Sequence, residues 1–150
     1  MKKTSIILGM MAMSLFGSAQ TRMSLYEEFT GENCGPCAST NPGLDALMAS
    51  NPNKVIMIKW QVPIPSAPSN TWSIYQTTKR FVDYRWRPTS VGGYGYPCTI
   101  CNPTTSYVNS APNGRMDGQT LDNFGISGSS ANHPGNLTQT AINNAQSQAT

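Results

Sequence analysis

The chain has 150 residues, with 10 Lys and Arg against 7 Asp and Glu, and its formal net charge is +3. This length fits one domain with a modest core. Lys2 and Lys3 lie in a terminal segment that we expect to be removed, which leaves a nearly neutral chain, so neither nucleic acid nor an anionic membrane surface is expected as a partner.

Residues 1–19 have the pattern of an export signal. A positive start precedes an apolar run from Ile6 to Phe16, which is too short to span a bilayer comfortably, and small residues follow up to Ala19. Cleavage after Ala19 would leave residues 20–150 as one exported domain, with no membrane association. We therefore expect the protein in the periplasm, in the cell envelope or outside the cell. An uncleaved membrane anchor is the alternative.

A strand–helix–strand unit is predicted directly after this signal. Met23–Phe29 alternates as a strand does, and apolar residues recur at helical spacing within Cys37–Ser50. Lys54–Val62 is a nearly continuous apolar run rich in β-branched residues, typical of a strand buried on both faces of a parallel sheet. This order predicts a βαβ unit, which crosses over right-handed.

A second helix is predicted after a proline-rich loop. Pro63–Ser69 is the loop, and apolar spacing indicates a helix over Trp72–Trp86. We interpret the charged and aromatic side chains of this helix as a solvated face above a core stripe rather than as a nucleic-acid surface. Residues 88–106 are rich in glycine and proline and are predicted to form a loop.

The last third of the chain is predicted to contain a strand and a helix. A turn around Pro112 leads into a short strand within Tyr107–Gly118. Asn136 is the predicted N-cap of a last helix over Leu137–Gln148.

Four cysteines follow the signal as two C-x-x-C pairs, Cys34/Cys37 and Cys98/Cys101. An even count in an exported chain is typical of an oxidising compartment. Zinc ribbons separate their pairs by roughly 15–20 residues, and these pairs are much farther apart, so we expect no metal and no other cofactor. For Cys98 and Cys101, a local structural disulfide is the first interpretation, and a second redox pair that exchanges with Cys34/Cys37 is the alternative.

The first pair lies where a strand gives way to a helix. Cys34 is therefore expected at the helix N-terminus, where unpaired backbone N–H groups stabilise an anion and favour the thiolate. The thiolate is the attacking species in disulfide exchange. Cys37, one turn further into the helix, would resolve the mixed disulfide. Gly35 allows the turn, and Pro36 carries no N–H that would need a partner in the first turn.

These residues resemble the active site of the thioredoxin superfamily. The tetrapeptide from Cys34 to Cys37 is the family's own CGPC, and Pro42 matches the proline that kinks the family's active-site helix. Glu28 falls on the family's buried acidic residue, and Ala111-Pro112 resembles the loop in which a cis-proline packs against the dithiol. The chain is most similar to thioredoxin-like proteins exported to the Gram-negative cell envelope, which show a similar opening, E-x-F-T-G-x-x-C-G-x-C.

The resemblance implies a thioredoxin-like α/β fold, with a mixed sheet flanked by helices and a loop-rich insertion before the cis-proline loop. It also implies exchange with protein thiols and disulfides, and a redox partner that recharges the dithiol. Cys34 would attack, Cys37 would resolve the mixed disulfide, and Glu28 would move the proton. The residues that would bind the substrate chain are Pro36, Ala111 and Pro112.

Three positions depart from the family pattern. Asn33 stands where thioredoxins usually carry tryptophan, Asn113 replaces the usual threonine after the proline, and the acid is Glu28 rather than aspartate. Because the dithiol chemistry tolerates these changes, we expect them to bear on substrate preference.

Each functional assignment has a structural alternative. The pair Cys34/Cys37 could form a static disulfide in an exported, non-catalytic thioredoxin-fold module that binds a partner or contributes to the envelope. Glu28 could be a solvated strand residue, and Pro112 could be an ordinary trans turn proline.

Overall fold

The structure, a computed structural model, describes residues 22–64, 66–67, 73–86, 108 and 110–148. Three predicted features lie outside the described residues. They are the export signal 1–19, the glycine-rich loop 88–106 and, within that loop, the second cysteine pair Cys98/Cys101.

The described residues form three strands, three α-helices and two short 3₁₀ helices. In chain order they are β1 (Ser24–Thr30), α1 (Gly35–Ala49), β2 (Val55–Gln61), α2 (Ile74–Trp86), β3 (Asn113–Met116), a 3₁₀ helix at Leu121–Phe124, a 3₁₀ helix at Pro134–Asn136, and α3 (Gln139–Ser147). The sequence predicted the type and order of the strands and α-helices, with boundaries that differ by a few residues. None of the described helices has the length and apolar character needed to cross a membrane.

The three strands form one mixed sheet in the order β2-β1-β3. β1 pairs in parallel with β2 and antiparallel with β3, so β1 is the central strand of the described sheet. α1 connects the two parallel strands, as the predicted βαβ unit requires. The result is a small α/β architecture that is compatible with a thioredoxin-like fold.

Successive side chains of β1 point to opposite faces of the sheet. The strand therefore contributes to two hydrophobic clusters, one on each face. Tyr26 packs on one face in a cluster with residues of α1 and α3, such as Leu44 and Ile142. Phe29 packs on the other face in a cluster with Tyr75 and Val82 of α2. Helices therefore cover both faces of the sheet.

β2 is less buried than its sequence predicts. Ile56 is 52% exposed and Ile58 is 38% exposed, so the prediction that both faces of this strand are buried is wrong. Both side chains point to the face that carries α2, and β2 is the outer strand of the described sheet. An apolar run can therefore belong to an edge strand whose second face is only partly covered.

The N-cap of the last helix is also not the predicted residue. Thr138 caps α3, and its hydroxyl accepts a hydrogen bond from the Ala141 backbone N–H at 3.2 Å. Asn136 lies in the preceding 3₁₀ helix and donates to the Ser130 carbonyl at 2.8 Å. A short 3₁₀ turn has displaced the start of the helix, and both residue types are good caps.

Packing between β1 and β3 leads to a stability prediction at Gly114. A Cβ added at Gly114 would lie 2.8 Å from Cζ of the buried Tyr26, and closer still to its hydroxyl. We expect Gly114→Ala to lower the free energy of unfolding by about 1–3 kcal/mol, the usual effect of overpacking a core. The measurement is urea-induced unfolding followed by circular dichroism.

Gly43→Ala is the matched control. Gly43 lies inside α1, and a Cβ added there would meet no heavy atom within 4 Å. Alanine should stabilise the helix by about 0.5–1 kcal/mol. Equal free energies of unfolding for the two variants would contradict the packing of Tyr26 on Gly114.

Candidate redox site

A close backbone approach at Gly31 fixes where the site begins. The Val62 N–H donates to the Thr30 carbonyl at 2.7 Å, which brings the chain after β2 beside the end of β1. A Cβ added at Gly31 would lie 3.2 Å from the Val62 carbonyl oxygen and would strike that of Ile64. The Cys34 N–H then donates to the Gly31 carbonyl at 3.2 Å, and this bond turns the chain into α1.

Cys34 and Cys37 form a disulfide at the start of α1. Their sulfur atoms lie 2.00 Å apart and their Cα atoms 5.2 Å apart. Cys34 is the N-cap, and its Sγ accepts a hydrogen bond from the Cys37 backbone N–H at 3.2 Å. The two residues are only 4% and 1% exposed. This close pair fits a C-x-x-C redox motif, and its first sulfur faces the amide groups that helix geometry leaves unpaired.

Pro42 lies inside α1, as the sequence predicts. A proline in a helix has no N–H to donate to the carbonyl four residues earlier. The preceding turn is tied by side chains, because the hydroxyls of Ser39 and Thr40 both donate to the Pro36 carbonyl, at 2.9 and 2.8 Å. The first turns of the helix are thus held together by hydrogen bonds to Pro36, which lies directly before Cys37.

Glu28 is fully buried on the face of β1 that carries α1. Its register partner on β2 is Lys59, whose Nζ lies 3.4 Å from Glu28 Oε2 and 2.7 Å from Asp45 Oδ1. Burial raises the pKa of the Glu28 carboxyl, the Lys59 cation opposes this rise, and the charge of Asp45 adds to it. The alternative of a solvated strand residue is therefore wrong for Glu28.

Asn41 connects this carboxyl group to the dithiol turn. With its amide nitrogen turned toward both oxygens, which is the orientation that satisfies its hydrogen bonds, Asn41 donates to Glu28 Oε1 at 2.6 Å and to the Cys37 carbonyl at 3.0 Å. One amide group therefore lies between the buried acid and the backbone of the second cysteine. Sequence reasoning missed both Asn41 and Lys59, because only the strand register and the helix position bring them to Glu28.

The Ala111–Pro112 peptide bond is cis, so the alternative of a trans turn proline is wrong. A cavity of about 420 Å³ lies beside it, lined by Pro36, Ala111 and Pro112 together with Ser110, Asn113, Ser129, Ser130, Asn132 and His133. The three residues predicted to bind substrate thus surround one cavity that opens next to the dithiol turn. The polar side chains of this cavity, from residues 129–133, were not predicted.

Hydrogen bonds fix the loop that precedes β3. The buried Arg115 donates through Nη1 to Asn113 Oδ1 and to the Gly114 carbonyl, the latter at 2.8 Å. Asn113 Nδ2 donates in turn to Ser110 Oγ at 3.1 Å. Asn113 therefore links the loop of Pro112 to the buried Arg115.

Comparison of the chain with protein-family models, with curated proteins and with solved structures found no match. The described residues comprise a small α/β domain with a three-stranded mixed sheet and a disulfide-linked C-x-x-C pair at a helix N-terminus.

The raised pKa of Glu28 leads to a prediction about stability and pH. Because the carboxyl group holds its proton more tightly in the folded than in the unfolded state, it contributes stability below its unfolded pKa, and this contribution is lost as the pH rises through its folded pKa. Glu28→Gln removes the titration. The quantity compared is the free energy of unfolding of Glu28→Gln minus that of the wild type. We expect this difference to increase as the pH rises from about 4.5 toward 8.

The measurement is urea-induced unfolding of both proteins at a series of pH values. Asp122→Asn is the matched control, because it also removes one carboxylate but from an exposed position on a 3₁₀ helix. A difference between Glu28→Gln and the wild type that stays constant with pH, or falls, would show that Glu28 does not titrate as described.

Proposed function

We propose that the protein is an exported thiol–disulfide oxidoreductase of the thioredoxin type, and that Cys34 and Cys37 are its redox-active pair. The observation that carries this proposal is the disulfide between two cysteines at the N-terminus of a helix that directly follows the central strand. The cis prolyl bond at Pro112 beside a cavity that includes Pro36 supports it. Protein thiols and disulfides are the proposed substrates.

The proposed reduction of a partner proceeds in two exchanges. The thiolate of Cys34 attacks one sulfur of the partner's disulfide, which forms a mixed disulfide and releases one partner thiolate. Cys37, after losing its proton, attacks the Sγ of Cys34, which forms the Cys34–Cys37 disulfide and releases the second partner thiolate. Two electrons pass to the partner, and a recharging dithiol donor returns them. With a partner dithiol, the same steps run in reverse and oxidise the partner.

Glu28 is the proposed acceptor of the proton that Cys37 loses. Its carboxyl group is buried, its pKa is raised by that burial, and Asn41 links it to the Cys37 carbonyl. A raised pKa brings a carboxyl group closer to the pH at which it can both accept and return a proton. Lys59 forms ion pairs with Glu28 and with the half-exposed Asp45. These two contacts connect the Glu28 carboxyl group to the surface.

Burial of both sulfur atoms favours a second candidate function. Cys34 is 4% exposed in the disulfide state, and a partner thiolate must reach a sulfur atom to exchange with it. The second candidate is therefore an exported binding or structural module in which the Cys34–Cys37 disulfide is static. The two candidates make opposite predictions for reactivity.

The location and the second cysteine pair are part of the proposal. We propose that the segment up to Ala19 directs export and is cleaved, so that the domain acts in the periplasm, the envelope or the medium. Cys98 and Cys101 are proposed to form a structural disulfide, with redox exchange with Cys34/Cys37 as the alternative.

An insulin-reduction assay with dithiothreitol as the electron donor tests the catalytic role. We expect the wild type to accelerate reduction, and Cys34→Ser to fall to the uncatalysed rate because the attacking sulfur is gone. Cys37→Ser should retain the first exchange and accumulate a mixed disulfide, which intact-protein mass spectrometry would detect. Cys98→Ser is the control and should keep the wild-type rate if the second pair is structural.

Alkylation of the reduced protein separates the two candidate functions. At neutral pH the Cys34 thiol should react with iodoacetamide faster than an unstructured peptide thiol, because the helix N-terminus favours its thiolate. Cys37, which lies deeper, should react more slowly than Cys34. A static module is indicated if dithiothreitol leaves the disulfide intact in the folded protein, or if Cys34 reacts no faster than the peptide.

A further inference from the structure

The cavity beside the dithiol has both apolar and polar lining residues. Pro36, Ala111 and Pro112 are apolar, and Ser129, Ser130, Asn132 and His133 form the set that we call the polar wall. Among the described residues, none that lines this cavity is Asp, Glu, Lys or Arg. Recognition by the polar wall therefore depends on hydrogen bonds rather than on pairing with a fixed charge.

The acceptor atom of Asn132 is already used by the fold. Its Oδ1 accepts from the Leu121 backbone N–H at 2.8 Å, and its backbone carbonyl accepts from the Gly114 N–H at 2.7 Å. The bond to Oδ1 fixes which end of the side-chain amide faces the protein, and the bond to the carbonyl holds the backbone of Asn132 against β3. The two N–H groups of Nδ2 remain, and none of the described residues accepts a hydrogen bond from them.

His133 is arranged in the same way. Its Nδ1 accepts from the Gly135 backbone N–H at 3.1 Å, so the proton of the neutral ring lies on Nε2. Within the described part of the chain, Nε2 has no acceptor. Two neighbouring side chains thus direct their acceptor atoms to the backbone, and both residues line the cavity with N–H donors that no described residue pairs.

The N–H donors of Asn132 and His133 discriminate among the side chains that can enter the cavity. A leucine would cover these N–H groups without pairing them, which is unfavourable for a buried donor. A lysine brings further donors and no acceptor. A side-chain carbonyl or carboxylate oxygen accepts from the wall, and a charged acceptor forms the stronger bond.

We propose that the polar wall is a subsite for an Asp, Asn, Glu or Gln side chain close to the reactive cysteine of the partner polypeptide. This inference rests on the proposed function, because it assumes that a partner chain docks between Pro36 and Pro112. It adds the chemistry of the substrate sequence: an oxygen acceptor within a few residues of the cysteine. Cavity size permits this, since about 420 Å³ lies within the usual range of ligand sites.

The test uses short peptide disulfides that differ in one residue near the cysteine. That residue is Asp, Asn, Leu or Lys, placed in turn at each of the two positions on either side. The second-order rate constant for reduction by the reduced protein is measured for each peptide, and is expressed relative to the Leu peptide. At one position at least, we expect the wild type to favour Asn over Leu by about 3- to 10-fold, and to disfavour Lys.

Asn132→Asp reverses the hydrogen-bonding character of the wall with little change in shape. Aspartate keeps an oxygen for the Leu121 N–H and replaces the two free N–H groups with a second oxygen. In this variant, the rate constant for the Asp peptide relative to the Leu peptide should fall about tenfold from its wild-type value. The corresponding ratio for the Lys peptide should rise. Because each protein is compared with itself on the Leu peptide, differences in overall activity cancel.

Asn53→Asp is the matched control. Asn53 is exposed in the turn between α1 and β2, and α1 separates this turn from Cys34 by about 20 Å. The same charge change there should leave all peptide ratios at their wild-type values. A shift of the ratios in Asn53→Asp equal to that in Asn132→Asp would show that net charge, not the polar wall, sets the preference.

A second variant keeps the test valid if Asn132→Asp does not fold, as judged by circular dichroism. His133→Asp retains an acceptor for the Gly135 N–H and removes the ring donor without adding another N–H group. The Asn-to-Leu ratio should fall toward one. The subsite is overturned if wild-type ratios are flat at all four positions, or if they are unchanged in the variants that fold.

Reduction of a small aromatic disulfide by the same proteins separates this inference from the proposed function. If the wild type reduces the small disulfide but shows no preference among the peptides, the subsite is wrong and the oxidoreductase assignment stands. If it reduces neither, the proposed function fails, and the subsite fails with it.

Discussion

The parallel register between β1 and β2 determines where the residues of the site lie. It sets Glu28 beside Lys59, and it brings the Val62 N–H to the Thr30 carbonyl at 2.7 Å. Since α1 connects these strands, its first turn must begin at this point, where only a glycine at position 31 leaves room for the chain that follows β2. Backbone contacts alone therefore place Cys34 at the N-terminus of α1. Its sulfur atom faces the backbone N–H groups of the first helical turn as a consequence.

Burial of Glu28 is tolerated because two polar groups, from Lys59 and Asn41, contact its carboxyl group. An isolated carboxylate is strongly disfavoured in a protein interior, but Lys59 lies 3.4 Å away and the Asn41 amide donates at 2.6 Å. The ion pair of Lys59 with Asp45 holds the ammonium group in position. Burial favours the protonated acid while the cation favours the ionised one, and the net effect is a raised pKa. The proposed exchange needs such a balance, because Glu28 must both take up and release a proton.

Local sequence patterns predicted the elements and the dithiol, whereas long-range contacts could not be predicted. The tetrapeptide from Cys34 to Cys37 carries its own turn and helix start, so its placement followed from neighbouring residues. The partners of Glu28 depend on strand register, which a sequence pattern does not specify between β1 and β2. The exposure of Ile56 was missed for a similar reason, because an apolar run does not reveal how far α2 extends over it. Asn136 failed as a cap because a 3₁₀ turn intervened.

The proposed dithiol chemistry and the proposed choice of partner depend on different parts of the chain. Cys34 and Cys37 lie at the start of α1, directly after the short connection from β1, and their proposed reactivity follows from the helix N-terminus. The polar wall is far away in sequence, and it is held against β3 by the bond from Gly114 N–H to the Asn132 carbonyl. The cis peptide at Pro112 lies between these two parts, tied through Asn113 to the buried Arg115. Under the proposed function, residues 129–133 select the side chain that enters the cavity and the helix N-terminus at Cys34 sets the reactivity, so a change in one of these parts leaves the other unaltered.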